Sequence, residues 1–321
     1  MDQLKVGVIG VGHLGQHHAR IYSALPEARL VAISDIDVSR GHAIASQFHV
    51  QHHAQFARLL SDVDAVSVAV PTSQHYPVVR ACLEAGVHVL VEKPITSGIE
   101  DGRTLVKLAK QYKCILQVGH VERFNPIVDI VRPLIQNPGF VECHRLSPFQ
   151  PRGTDVDVVL DLMIHDLDIV LSLQLGSIVS IEASGLAVLT DQIDIANARI
   201  GFANGSVATF TASRISTGRL RKCRVFQPQA YFSIDYQDRQ AVIHRRNGRN
   251  DGGVSVKTEQ LSGGDGEPLQ RELQAFLAAI NSQSTPLVSG EDGVGSLDLA
   301  HQILKNIHVA SAATSSKESR D

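Results

Sequence analysis

Cysteine is scarce in this sequence: Cys82, Cys114, Cys143 and Cys223 stand far apart and form no C-x-x-C pair. That leaves neither a zinc ribbon nor a dithiol redox motif, and the four are expected as reduced thiols in or near a core. No stretch approaches the roughly 18 to 20 consecutive apolar residues that a membrane span needs, so membrane insertion is not expected. Neither sign of charge is in large excess, because 30 lysines and arginines face 33 acids for a formal net charge of -3. The basic residues are dispersed, and the footprint of a phosphate-backbone binder is missing, which excludes nucleic acid as an expected partner. The N-terminal MDQLKVGVIGVG lacks a basic leader region, and its short apolar run stops at glycines instead of a small-residue cleavage site. The expected compartment is therefore the cytoplasm. Fifteen histidines are many, yet His13, His17, His18, His52 and His53 match no ligand spacing such as H-E-x-x-H. They read as surface and helix-face residues, and no metal is expected.

What is present is the composition of a soluble globular chain, 321 residues with 43% hydrophobic and 20% charged. At roughly 150 residues per domain this length gives a prior of two domains. Residues 4 to 9 form a short apolar, β-branched run that stops at glycine, and 14 to 25 carry apolar residues at helical spacing up to Pro26. The alternation continues to about residue 120: strands at 30–34, 65–70, 88–91 and 115–118, and helices at 39–48, 56–60, 78–85 and 100–112. Strands apolar on both faces and separated by helices indicate a parallel sheet covered on each side. Past about residue 125 the pattern turns to strands at 140–149, 179–189, 193–200, 206–214, 222–226, 230–235 and 240–245. Asn204-Gly205 is well suited to a tight hairpin turn. Helices are expected at 161–173, 268–281 and 293–310. The expected fold is α/β, an N-terminal Rossmann doubly wound parallel sheet over 1–122 followed by a C-terminal α+β domain over 123–313 with a large, mostly antiparallel sheet. The polar tail 314–321 is expected to be disordered.

Five places in this pattern carry chemistry. Gly10-Val11-Gly12-His13-Leu14-Gly15 follows the first strand and opens the first helix. Gly10 permits a tight turn, Gly12 lets backbone approach a pyrophosphate, Gly15 permits close helix packing, and the helix start offers N–H groups to the anion. Asp35 ends the second strand 20 residues beyond Gly15, where a carboxylate can accept from an adenosine ribose and would repel a 2'-phosphate. NAD is accordingly expected over NADP, and the nearest cation, Arg40, reads as a helix-surface residue. Glu92-Lys93-Pro94 lies at the carboxyl end of the strand at 88–91, where open α/β sheets place ligands. Lys93 could there reach a reacting substrate oxygen. Pro71-Thr72 closes the strand at 65–70 in the same way, and with His75 it is expected to line the cofactor crevice. Asp161 and His165, four apart, share one helix face. A substrate alcohol needs a base, and histidine titrates in the useful range. The same pair could be a helix-surface pair, or a core histidine held by Asp161 or Asp166, and two ligands one turn apart are too few to define a metal site.

Together Gly10 to Gly15, Asp35, Pro71 with His75, Glu92-Lys93-Pro94 and Asp161 with His165 resemble the Gfo/Idh/MocA-type oxidoreductases over nearly the full chain. The resemblance implies NAD bound by the first domain, Lys93 as a substrate-contacting acid/base residue, and Asp161 and His165 as substrate ligand and catalytic base. Many members have glycines around that aspartate and histidine, whereas this chain reads VVLDLMIH, which argues against the polyol dehydrogenase branches. GHVERFNP (119–126) and VLDLMIHDLD (159–168) resemble bacterial nucleotide-sugar 3-dehydrogenases, particularly enzymes of UDP-N-acetylglucosamine that precede an aminotransferase in making diamino-sugar lipid A. On that likeness Arg123, Asn125 and Arg152 are expected at the UDP-sugar, with Arg214 and Arg219 as further cations for a diphosphate. The alternatives are a dehydrogenase of free cyclitols or simple sugars, and a non-catalytic dinucleotide sensor, which would need none of Lys93, Asp161 and His165. A broad sheet with a single candidate helix cover implies that its other face is buried between subunits, as a homodimer or homotetramer.

Overall fold

The computed structural model describes residues 3–150, 156–250 and 253–318. Contacts divide the chain into two units, Met1–Phe124 with Glu267–Val294, and Asn125–Gly266 with Gly295–Asp321. The first unit runs β1 (Leu4–Ile9), α1 (Gly15–Ala24), β2 (Ala28–Ser34), α2 (Val38–Phe48), β3 (Gln51–His53), β4 (Ala65–Val68), α3 (His75–Glu84), β5 (His88–Glu92), α4 (Ile99–Tyr112) and β6 (Leu116–Gly119). Its sheet has the order β3-β2-β1-β4-β5-β6, with every pair parallel. Strand order reverses between β1 and β4, so the loops leaving these two strands diverge and open a crevice at their carboxyl ends. The strands that the sequence marks as apolar on both faces are the central ones: all of β4 and the last four residues of β1 are buried. β3 was not foreseen, since three polar residues carry no alternation.

The second unit holds α5 (Pro126–Val131), β7 (Phe140–Leu146), α6 (Ile164–Leu171), β8 (Ile178–Leu186), β9 (Ile195–Phe202), β10 (Val207–Ser213), β11 (Leu220–Gln227), β12 (Ala230–Asp235), β13 (Gln240–Asn250) and β14 (Gly253–Ser262). The eight strands lie in the order β14-β13-β12-β11-β7-β10-β9-β8, all antiparallel except the parallel pair β7 and β10. Asn204 and Gly205 make the expected tight turn, with Gly205 at φ 84° and the Asn204 side chain accepting from Ser206 N–H. Period-2 alternation gives the sheet a core face, where Val141, Cys143, Phe210, Cys223, Val225 and Phe232 pack with Ile127 of α5 and Leu167 of α6. The opposite face carries a row of rings across four strands: Phe140 to Phe226 at 5.6 Å, Phe226 to Tyr231 at 4.8 Å and Tyr231 to His244 at 5.7 Å between centroids.

The last two helices are α7 (Pro268–Ser282) and α8 (Gly290–Glu318). The sequence places 123–313 in one C-terminal domain, but α7 packs with the first unit. Its Leu273, Phe276, Leu277 and Ile280 join the core of Val6, Val8, Ile21, Tyr22 and Leu30. α8 is longer than expected and takes in residues 314–318 of the tail expected to be disordered, while 319–321 lie outside the described residues. No helix among the described residues is long and apolar enough to cross a membrane.

One polar contact stands inside the second unit's core. Alternation along β7 turns Arg145 onto the core face, and Asp166 of α6 accepts from it twice, Nε to Oδ2 at 3.0 Å and Nη2 to Oδ1 at 2.8 Å. Both side chains are 4% exposed. Breaking such a pair strands a buried charge, which costs about 3 to 5 kcal/mol. Arg145→Met is therefore expected to lower the unfolding free energy by about that amount in urea denaturation, while an unchanged midpoint would show that the pair is dispensable to α6.

Candidate active site

At the carboxyl ends of β1, β2 and β4 lies a cavity of about 780 Å³, lined among others by Gly10, Gly12, His13, Leu14, Asp35, Ile36, Arg40, Phe56, Val70, Pro71 and Val78. Its floor is the glycine turn. Gly10 sits at φ 83°, a conformation that favours glycine, and a Cβ on Gly15 would lie 1.8 Å from the Gly10 carbonyl oxygen. Any side chain at Gly15 would push α1 off β1. A Cβ on Gly12 would meet nothing within 4 Å, which leaves open space above the turn. The N-cap of α1, Leu14, makes no side-chain cap bond, so the helix start is free of a built-in anion.

Asp35 ends β2 as expected and is 5% exposed. Its carboxylate is not idle: Oδ2 accepts from Val11 N–H at 2.9 Å and Arg40 Nε at 3.1 Å, and Oδ1 from Asp37 N–H at 2.8 Å and Arg40 Nη2 at 2.8 Å. Burial works to raise the Asp35 pKa, but the Arg40 guanidinium and the two backbone N–H groups outweigh it and hold the carboxyl below its ordinary value. Arg40 is thus not the bland surface residue that its position on α2 suggested.

Beyond the cavity, the ends of β4 and β5 are tied together by residues whose polar atoms are engaged. His75, expected at the crevice wall, is buried, with Nδ1 2.8 Å from the Pro94 carbonyl oxygen and Nε2 3.0 Å from that of Val70. It braces the loops that follow the two strands. Thr72, Glu92 and Lys93 do not line the cavity. Glu92 accepts from the ring of His18 at 3.0 Å, and His18 is fully buried, in place of the surface position expected for it. His120 is buried too, and burial first, then the charges of Lys93 and Arg123, push its pKa down to about 3.

In the second unit, Asp161 lies on a π-helical turn, Val159–Met163, that runs into α6, and His165 is in the first turn of that helix. Both are half-buried. π-turns concentrate at functional sites because the extra residue redirects side chains. Asn125 is buried, donating from Nδ2 to the Tyr236 carbonyl and capping α5 through Oδ1. Arg123, in the first unit, is buried and donates to the Leu287 carbonyl at 3.3 Å. Arg214 is buried against the Val156 carbonyl, Arg219 is exposed, and Arg152 lies outside the described residues. Arg123 and Asn125, expected at a sugar nucleotide, are held inside the fold.

Residues 4–120 match the oxidoreductase family with an NAD-binding Rossmann fold, and 142–232 match the Gfo/Idh/MocA C-terminal domain. The UDP-N-acetylglucosamine 3-dehydrogenase of Acidithiobacillus ferrooxidans is 35% identical over 305 residues, which cover 94% of this chain and 97% of that relative. The chain belongs to the Gfo/Idh/MocA family. A solved structure of the Acidithiobacillus enzyme superposes with a TM-score of 0.91, covering 96% of this chain and 99% of that one at 35% identity. Inositol 2-dehydrogenase of Rhizobium meliloti is 27% identical over 340 residues, covering 95% and 97%. As a Gfo/Idh/MocA protein the chain is an NAD-dependent oxidoreductase acting on a CH–OH group.

The first unit's cavity suits NAD on its own chemistry. It combines an open glycine turn, an uncapped helix start, a carboxylate at the end of β2 and apolar walls at Ile36, Phe56, Val70 and Val78. Phe56 and Gln55 escaped the sequence reading because a 3-10 turn outside any nucleotide motif brings them to the wall. His18 escaped it because a helix-face position does not tell which face is buried.

The depressed pKa of His120 makes stability depend on pH. In the unfolded chain this ring titrates near the ordinary value of about 6.5, so between about 6.5 and 3 the unfolded state takes up a proton that the folded state refuses. Stability should fall as pH drops through that window, by up to about 1.4 kcal/mol per unit, and be complete above it. Urea midpoints from pH 7 to 4.5 should decline less steeply for His120→Gln than for the wild type, and equal slopes would remove His120 from the cause.

Proposed function

We propose that this oxidoreductase takes the 3-hydroxyl of UDP-N-acetylglucosamine to the ketone. The observation that supports this reading is the identity over almost the whole chain to a relative named for that activity, 35% against 27% for an inositol 2-dehydrogenase of similar coverage. NAD, when bound, accepts the hydride from the carbon. The residues we assign to the cofactor are Gly10, Gly12, His13, Leu14, Asp35 and Pro71, which line the cavity, with Gly15, Thr72, His75 and Glu92 acting from behind them. Lys93 is our substrate-contacting acid/base residue and His165 our base for the hydroxyl proton, with Asp161 orienting sugar and imidazole. Arg152 is the arginine we assign to the diphosphate. We place the reaction in the cytoplasm, ahead of an aminotransferase that consumes the 3-keto sugar for diamino-sugar lipid A. The row Phe140, Phe226, Tyr231 and His244 supports a homo-oligomer joined through the open sheet face, since a run of contacting rings with 37% of Phe226 exposed is more usual under cover.

The binding energy of a nucleotide diphosphate can position the sugar carbon for hydride transfer. UDP-N-acetylglucosamine should therefore exceed free N-acetylglucosamine and myo-inositol in kcat/KM by orders of magnitude in an assay of NADH absorbance. Comparable oxidation of a free polyol would defeat the nucleotide-sugar reading and leave the dehydrogenase. Arg152→Ala should raise KM for the UDP-sugar and not for NAD.

Lys93→Ala and His165→Ala should each lower kcat by ~10² to 10⁴, the range for positioned acid/base groups, with NAD affinity by fluorescence titration nearly unchanged. Parallel losses of NAD affinity and turnover would assign them to the cofactor site or to folding instead.

A further inference from the structure

We propose that Arg40 sets the balance between NAD and NADP by acting as a displaceable latch on Asp35. All four acceptor directions of the Asp35 carboxylate are occupied, two by the backbone N–H groups of Val11 and Asp37 and two by the one guanidinium. The backbone donors belong to the turn and to the start of α2, and they do not leave without unfolding both. The Arg40 side chain is 45% exposed, so it is the partner that can yield. A ribose hydroxyl reaches Asp35 by replacing Arg40, and the adenosine ribose and the guanidinium are competitors for one carboxylate. Asp37, with Oδ2 3.4 Å from Arg40 Nη1 and 47% exposed, offers the released cation a second partner.

Two consequences follow for specificity. An unpaired Asp35 would repel a 2'-phosphate, which is the reason an aspartate at this position favours NAD. Paired with Arg40 it presents a neutral ion pair, and Arg40 lines the same cavity as Gly10, Ile36 and Phe56. An arginine can take a phosphate with two parallel N–H bonds, so the side chain that hinders the free ribose favours its 2'-phosphate. NADP is thereby accepted more readily than Asp35 alone dictates, and NAD less tightly than an unlatched carboxylate would hold it.

The adenosine half can be tested without turnover, by calorimetric titration of the full-length protein with 5'-AMP and with 2',5'-ADP. Arg40→Met keeps the aliphatic stem and removes the cation. It should weaken 2',5'-ADP by about tenfold or more while 5'-AMP binds as well as or better than before. In steady-state assays the NAD to NADP ratio of kcat/KM should rise by a similar factor. Arg40→Lys, which keeps the charge without the fork, should fall between Arg40→Met and the wild type. An unchanged ratio of the two fragment affinities in Arg40→Met overturns the proposal. Equal weakening of both fragments also overturns it, since that is the signature of adenine stacking or of a role in holding α2. Because the readout uses only the adenosine fragments, it stands or falls apart from the sugar assigned as substrate.

Discussion

A contact that admits no side chain, the Gly10 carbonyl against Gly15, sets the position of α1 and with it much of the first unit. With α1 drawn onto the end of β1, its buried stripe falls at intervals of three and four residues on three different strands. Gly15 meets β1's turn, His18 reaches Glu92 at the end of β5, and the Tyr22 hydroxyl shares a hydrogen bond with Ser67 of β4 at 2.9 Å. One helix thus connects the glycine turn to the strand end that carries Lys93. A shift of α1 by the width of a methyl group would be felt at Glu92 as well as at the turn, because interiors are close-packed and transmit displacement.

The second unit obtains the same definition from buried charge. Asp194 is fully buried, yet it accepts from the N–H groups of Val188, Leu189 and Thr190 and from the Thr190 hydroxyl. Burial alone would raise its pKa, and these donors bring it down to about 2, so it stays ionised and folds the segment before β9 around itself. Arg145 and Asp166 do the corresponding work between β7 and α6. Such pairs add little net stability over apolar packing, but they admit one register, and Asp166 is the residue after His165. Orientation of the proposed base is therefore built into the core instead of depending on solvent-exposed contacts.

Much of this was legible in the sequence, for a stated reason in each case. The glycine turn, the alternation of β1 to β6 with their helices and the strand end at Glu92-Lys93 declare themselves through local geometry, where apolar period and turn chemistry agree. α7 was legible as a helix, but its partner was not, since an amphipathic stripe does not name the core it enters. β14 reads GVSVKTEQLS and is largely exposed, so no burial pattern announced it. Arg40 illustrates the sharpest limit. A cation five residues past an aspartate is unremarkable along the chain, and only the turn at Asp37, which caps α2 by accepting from Arg40 N–H at 3.0 Å, folds the guanidinium back onto Asp35.

The stretch GHVERFNP places its polar side chains inside the fold. His120, Arg123 and Asn125 are all buried and directed into the fold: Arg123 to the Leu287 carbonyl, Asn125 to the Tyr236 carbonyl and the start of α5. His120 interacts with Lys93, and its low pKa keeps it neutral at physiological pH, so it adds no positive charge to a lysine whose neighbour Glu92 is already engaged by His18. A protonated imidazole at that position would repel the ammonium, and an exposed one would let water between them. The buried, uncharged ring instead gives Lys93 a low-dielectric flank, which is where the acid/base role proposed for this lysine would gain most from charge developing on a substrate.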